Sequence, residues 1–138
     1  MRWVAPINSR ETIDAVLALK TWAVVGLGNN PERAAFGVAK LLQDKGHRII
    51  PVYPRAEEVH GEAGYKTLAD IPVQVDVVDC FVNSKLVGKV VDEAIAIGAK
   101  AVWLQLDVID HEAVGRAQAA GLLTVMDRCP AIEYQARA

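Results

Sequence analysis

The stretch VVGLGNNPERAAFG, residues 24–37, contains the groups best suited to hold a ligand. An apolar run ends in Gly26, and Gly28 follows one residue later. Gly26 permits a tight turn, and Gly28, lacking a Cβ, lets a phosphate come close to the backbone. A helix expected to begin near Ala34 or Ala35 would aim its free N–H groups, with their partial positive charge, at the same place. The pattern calls for an anion. It is shorter than the full dinucleotide fingerprint, because the third glycine is missing. The insertion NNPER lengthens the loop, and its Pro31 has no N–H to donate and a fixed φ. Arg33, inside that insertion, is either a solvated surface residue or a two-pronged phosphate ligand.

The next chemically informative place is the end of the second expected strand, HRIIPVY (47–53). NAD-binding sheets put a carboxylate there to accept hydrogen bonds from the adenosine ribose. Here Pro54 and Arg55 follow, and Glu57 and Glu58, beyond the proline, are expected to face solvent. A cation at this position suits a ribose that already carries a phosphate. NADP, with its 2′-phosphate, and coenzyme A, with its 3′-phosphate, both qualify, and the residues alone leave the two open.

Other reactive side chains have plainer readings. His47 starts a strand, His60 lies in an irregular loop, and His111 sits in the first turn of a helix; none has a nucleophile or carboxylate at a recognisable spacing, so no catalytic residue is assigned. Asp76, Asp79, Asp107 and Asp110 do not form an octahedral oxygen set, so no metal site is assigned, and Asp110 is expected to cap the helix that follows. Cys80 lies within an apolar run and reads as a small hydrophobe. Cys129 is expected to be the more exposed thiol. It reads first as a structural residue of the tail; at the mouth of a CoA pocket it could form a mixed disulfide with the CoA thiol.

These groups need a scaffold, and hydrophobic periodicity supplies one. Helices are expected over residues 9–20, with Ser9 as N-cap and Ile13, Val16 and Leu17 inward; over 34–46, with Val38, Leu41 and Leu42 on one side; over 84–99, with Leu86, Val90, Val91, Ala94 and Ile95 inward; and over 110–121. Strands are expected over 22–26, 47–53, 75–82, 101–106 and 122–127. Residues 55–75 read as irregular, with a short strand near Tyr65 and one helical turn, and residues 128–138 as a short tail. Trp3, Trp22 and Trp103 read as packing residues. Strands alternating with helices imply right-handed crossovers and a parallel sheet covered on both faces. The expected fold is α/β: a doubly wound, mainly parallel, Rossmann-like sheet forming a three-layer single domain over residues 1–138.

Bulk properties exclude several function classes. The chain has 138 residues, 52% hydrophobic and 23% charged, with a formal net charge of −2. It shows no basic run of the kind that marks a nucleic-acid face, no apolar stretch long enough to span a bilayer, and no signal-peptide pattern at its start. Two cysteines outside any CxxC fit a reducing, cytoplasmic setting.

Taken together, VVGLGNNPERAAFGVAKLLQDKGHRIIPVYPRAEEVHGEAGYKTLADIP, VDVVDCFV, VDEAIAIGAKAVWLQLDV and VMDRCPAIEY resemble the small stand-alone CoA-binding proteins. These are similar to the amino-terminal CoA-binding domain of the succinyl-CoA synthetase α subunit. The resemblance runs from about Trp22 to Tyr134, and it rests on the combination of PER, PVYP, AVWLQ and DRCP. It implies a module that binds coenzyme A or an acyl-CoA non-covalently. The phosphates would be held by Gly26, Leu27, Gly28, Asn29, Asn30 and Arg33. Val52, Tyr53, Pro54 and Arg55 would lie by the adenosine. Phe81, Val82 and Asn83 would flank the pantetheine, with Gln105 nearer the thiol. Serines common in the family at two positions are replaced by Gly28 and Ala35, which removes two hydroxyl groups. The resemblance also implies small-molecule CoA or acyl-CoA as the partner, with a homo-oligomer or a synthetase partner subunit as further possibilities. The alternatives are an NADP-binding oxidoreductase and a subunit of a split acyl-CoA synthetase.

Overall fold

Five apolar runs form the strands β1 (Thr21–Val25), β2 (Arg48–Val52), β3 (Val77–Cys80), β4 (Ala101–Leu104) and β5 (Leu123–Val125). The computed structural model describes residues 5–138, so the packing role expected of Trp3 lies outside the described residues. The strands pair in parallel in the order β2-β1-β3-β4-β5, with Val24 of β1 opposite Asp79 of β3 and Asp79 opposite Trp103 of β4. The helices are α1 (Arg10–Leu17), α2 (Ala34–Asp44), α3 (Val87–Ala96), α4 (His111–Ala119) and α5 (Pro130–Ala136).

Alternation along each strand sends side chains to two separate cores. Trp22 and Val24 of β1, Val77 of β3 and Trp103 of β4 pack with Ile13 and Val16 of α1 and Ala39 and Leu42 of α2. Ala23, Val78, Val102 and Leu104 pack with Val87 and Val91 of α3 and Val114 and Ala117 of α4. This is the doubly wound, three-layer arrangement expected from the sequence. Trp22 and Trp103 are fully buried, with ring centroids 5.6 Å apart. The side chains of Ser9 and Asp110 accept from the N–H groups of Thr12 and Ala113, capping α1 and α4.

Four local expectations change. Four of the five strands are shorter than their apolar runs, because pairing stops where the loops diverge, while β1 keeps five residues and starts one earlier. The strand near Tyr65 is a single parallel bridge to Val52, while the expected helical turn is a 3₁₀ turn at Leu68–Asp70. Leu86 is 58% exposed rather than inward, because α3 starts at Val87, three residues later than expected, which leaves Leu86 as the N-cap and gives Val87 the buried position. The tail is the helix α5. Pro130 occupies its first turn, where a missing N–H costs nothing. Arg137 pairs with Asp14 of α1 and with Glu133, and the Tyr134 hydroxyl meets His47. His47 donates from Nδ1 to the Leu19 carbonyl at 2.8 Å, leaving Nε2 to accept from Tyr134. Burial lowers its pKa, so this histidine is a neutral structural tie.

Candidate functional site

From β1 the chain crosses to β2 on one side, and β3 lies on the other side of β1. The loops after β1 and β3 therefore part, opening a crevice at the carboxyl ends of the strands. Gly26 and Phe81 mark its floor. Gly26 has φ +99°, and a Cβ there would lie 2.4 Å from the Phe81 carbonyl oxygen. The two loops are in contact at that point, and only glycine fits.

A cavity of about 600 Å³ fills the crevice on the β2 side. The loop after β1 contributes Gly26, Gly28, Asn29, Asn30 and Arg33. The segment after β2 contributes Tyr53, Pro54, Arg55 and Glu57, with Val52 at the strand end. Phe81 and Val82 come from the loop after β3, and Lys66 from the irregular segment. No side chain caps the start of α2, whose N-cap residue is Arg33. Its first N–H groups and the helix dipole are left for an anion. Arg33, Arg55 and Lys66 belong to no ion pair among the described residues.

Glu57 is half-buried and turned over the β1 loop, whereas Glu58 faces solvent as expected. Ala56 has φ +49°, which turns the chain back after Pro54 and Arg55. The Glu57 carboxylate then lies over the β1 loop, 3.4 Å from the Asn29 N–H. A Cβ at position 28 would meet Glu57 Oε1 at 2.9 Å and the Tyr53 ring at 3.4 Å, so Gly28 leaves room for both. The Asn29 side chain donates to the Glu58 carbonyl, fastening the two loops together.

A second cavity, of about 330 Å³, continues on the β4 side and shares Gly26, Arg33, Phe81 and Val82 with the first. Ala34, Ala35 and Val38 of α2 wall it on one side, and Gln105, Leu106 and Cys129 on another. Gln105 is only 5% exposed. Its Nε2 donates to Asp79 Oδ1 at 2.6 Å. Asp79 is fully buried between Val24 and Trp103, and its Oδ2 has no hydrogen-bond partner. Burial raises its pKa to about 7, an effect the Gln105 hydrogen bond partly offsets.

Comparison with known proteins fits this geometry. A family model described as a CoA binding domain matches residues 20–135. The chain belongs to the CoA binding domain family. YneT of Bacillus subtilis is 34% identical over 110 residues, which is 80% of this chain and 82% of that protein. A hypothetical protein from Pyrococcus horikoshii superposes with a TM-score of 0.88 at 40% identity, covering 99% of this chain and 98% of that one. The α subunit of the ADP-forming acetate–CoA ligase II of Pyrococcus furiosus is 36% identical over 81 residues, 58% of this chain but only 18% of the subunit.

Within this CoA binding domain the residues singled out from sequence do not all converge. Leu27 is fully buried in the core beneath α1 and α2, where it anchors the loop rather than lining a cavity. Asn83 lies outside both cavities, and its Oδ1 accepts from the N–H groups of Lys85 and Leu86 ahead of α3. Gln105 reaches the second cavity but not the first. Lys66 and Glu57 join the site through chain reversals that no local pattern announces. The DRCP segment acquires a structural role. Asp127 accepts from the Asp107 N–H at 2.7 Å, and the Arg128 carbonyl accepts from the Trp103 indole at 2.9 Å. These bonds set Cys129 against the second cavity. No helix among the described residues is long and apolar enough to cross a membrane.

Proposed function

We propose that this CoA binding domain holds coenzyme A or an acyl-CoA non-covalently, as a non-catalytic carrier or sensor. The observation that carries the reading is the run of two joined cavities, cationic at the first and apolar at the second. In this reading the Gly26–Asn30 loop, Arg33 and the start of α2 take the diphosphate. Arg55 takes the 3′-phosphate, and the pantetheine runs past Phe81 and Val82 towards Gln105. Three cations against the single carboxylate of Glu57 favour a polyanion over an uncharged ligand. Two of the three histidines are otherwise engaged: His47 ties β2 to α5, and His60 bonds the Phe36 carbonyl at 2.7 Å; His111 is exposed on the first turn of α4, away from both cavities.

A thermal-shift series with CoA, dephospho-CoA, NADP and NAD tests the reading. A ligand specific for the folded state adds about 2.7 kcal/mol at a hundredfold excess over Kd. CoA should give the largest shift and dephospho-CoA a smaller one. A shift with NADP alone would overturn the assignment in favour of an oxidoreductase. The match to a ligase α subunit favours a second reading, in which the domain presents CoA to a separately encoded synthetase partner. A copurifying protein that restores acyl-CoA formation on mixing would support it.

A further inference from the structure

We infer that Lys66 is a specificity-determining residue, which joins Arg55 in a two-cation clamp for a phosphate monoester on the ribose of the ligand. This rests on the proposed CoA reading and deepens it: the clamp selects the 3′-phosphorylated coenzyme over its dephospho form. Lys66 and Arg55 both line the first cavity, together with Tyr53.

The fold brings the two cations together from separate segments. After β2 the chain makes a tight turn, in which the Ala56 N–H donates to the Tyr53 carbonyl at 2.8 Å. Arg55 is a central residue of that turn. Lys66 follows Tyr65, whose single bridge to Val52 extends the sheet past its edge strand β2. The Tyr65 N–H donates to the Pro51 carbonyl, and the Tyr53 N–H donates to the Tyr65 carbonyl, both at 3.0 Å. These bonds fix the backbone that carries Lys66 and leave its side chain free.

Gly64 joins the two segments. A Cβ at this position would lie 2.1 Å from the Glu57 carbonyl oxygen and 2.9 Å from the Ala56 carbonyl carbon. The turn after β2 and the segment before Lys66 therefore touch backbone to backbone, which only glycine permits. Sheet pairing, turn and close contact all act to hold Arg55 and Lys66 at one cavity.

The charges define the ligand. Both side chains belong to exposed residues, and neither is in an ion pair among the described residues. The carboxylate of this cavity, Glu57, is turned towards the Asn29 N–H of the β1 loop. Two like charges beside one cavity repel until an anion lies between them. A phosphate monoester carries a charge of about −1.5 to −2 at neutral pH and offers three acceptor oxygens. A ribose hydroxyl has no charge and would leave both cations unmatched. Arg55 can meet such a group with a planar fork, and Lys66 can add a point charge from the other segment.

Calorimetry on the full chain tests this with CoA and dephospho-CoA, and in parallel with NADP and NAD. The proteins compared are the wild type, Lys66→Gln, Lys66→Arg and Lys89→Gln. The wild type should prefer CoA to dephospho-CoA. K66Q should lose about fivefold of that preference, the scale of one exposed charge pair. Its affinity for dephospho-CoA and its Tm without ligand should hold. K66R keeps the charge and should keep the preference. K89Q removes an equal charge from an exposed position on α3, outside both cavities, and should leave the preference unchanged.

An undiminished preference in K66Q, an equal loss in K89Q, or equal weakening of both ligands in K66Q would overturn the inference. If the wild type still binds CoA in those cases, the CoA reading stands without the clamp. If CoA does not bind but NADP is preferred to NAD through Lys66, the clamp holds a 2′-phosphate and the CoA reading falls. If none of the four ligands binds, both fall.

Discussion

The two cavities share a floor at Gly26 and Phe81 but are built in opposite ways. The first is made of loops, and its charged groups reach in from exposed or half-exposed positions: Arg33, Arg55, Lys66 and Glu57. Such groups keep most of their hydration until a ligand arrives, so displaying them costs the fold little. The second reaches into the sheet itself. Its polar group is Gln105, held by an Asp79 carboxyl that lies wholly within the core. A buried carboxyl with an unpartnered oxygen is expensive. The molecule thus spends stability to orient one amide at the inner end, whereas at the outer end it uses flexible side chains and free backbone N–H groups. Substitutions at the inner end should therefore change stability and its pH dependence, and those at the outer end should change ligand affinity.

Asp79→Asn tests the inner end and carries the largest expected effect. Burial raises the Asp79 pKa from 3.8 to about 7, so between these values the folded protein holds a proton that the unfolded chain has released. The contribution of Asp79 to stability is full below pH 3.8 and is lost as pH rises through 7. An asparagine has no such dependence. Urea unfolding of both proteins from pH 4 to pH 8 should show the variant gaining on the wild type up to about pH 7 and then running parallel to it. The total relative gain is on the order of a few kcal/mol. A difference that stays constant across this range would show that Asp79 is ionised throughout and that the contrast between the cavities is misdrawn.

Arg55→Ala tests the outer end. Charge-assisted hydrogen bonds contribute roughly 1.5–3 kcal/mol, and solvent exposure of Arg55 puts it at the low end. Calorimetry should find CoA binding weakened about tenfold, which is 1.4 kcal/mol. Binding of dephospho-CoA should be nearly unchanged, so the preference for the 3′-phosphate collapses. Tm without ligand should move little. Equal weakening for both ligands would place Arg55 away from that phosphate.

The same contrast explains what the sequence discloses. Strands and most helices are legible because the Val- and Ile-rich runs and the caps at Ser9 and Asp110 are local signals. Gly26 and Gly28 are legible as a loop, but the reasons for them are distant: the Phe81 carbonyl for one, Glu57 and Tyr53 for the other. The helix α5 is too short and polar to declare itself, and it is held by contacts to Asp14 and His47 far back in the chain. Asp79 sits in an apolar run at a spacing of two from Val77, which places it on an inward face. Its partner Gln105 becomes visible only once β3 and β4 are aligned. Cys129 shows its nearness to the second cavity only after the DRCP segment is folded against β4.

Glu57→Gln should have the smallest effect and distinguishes two uses of the outer cavity. The carboxylate lies against the Asn29 N–H, where the proposed CoA reading puts a phosphate oxygen. In the proposed reading, a CoA diphosphate pushes the side chain aside and then remains near its negative charge. Glutamine keeps the size and removes the charge, so CoA should bind about threefold more tightly, within the ~1 kcal/mol available to exposed charge pairs. The gain should shrink in high salt, which screens such repulsion. Had Glu57 instead served as the ribose acceptor of an NAD-type site, the same substitution would weaken the binding of a dinucleotide by removing a charged acceptor. Titrating the variant with CoA and with NAD at two salt concentrations separates these cases by the sign of the change, which does not depend on how small the change is.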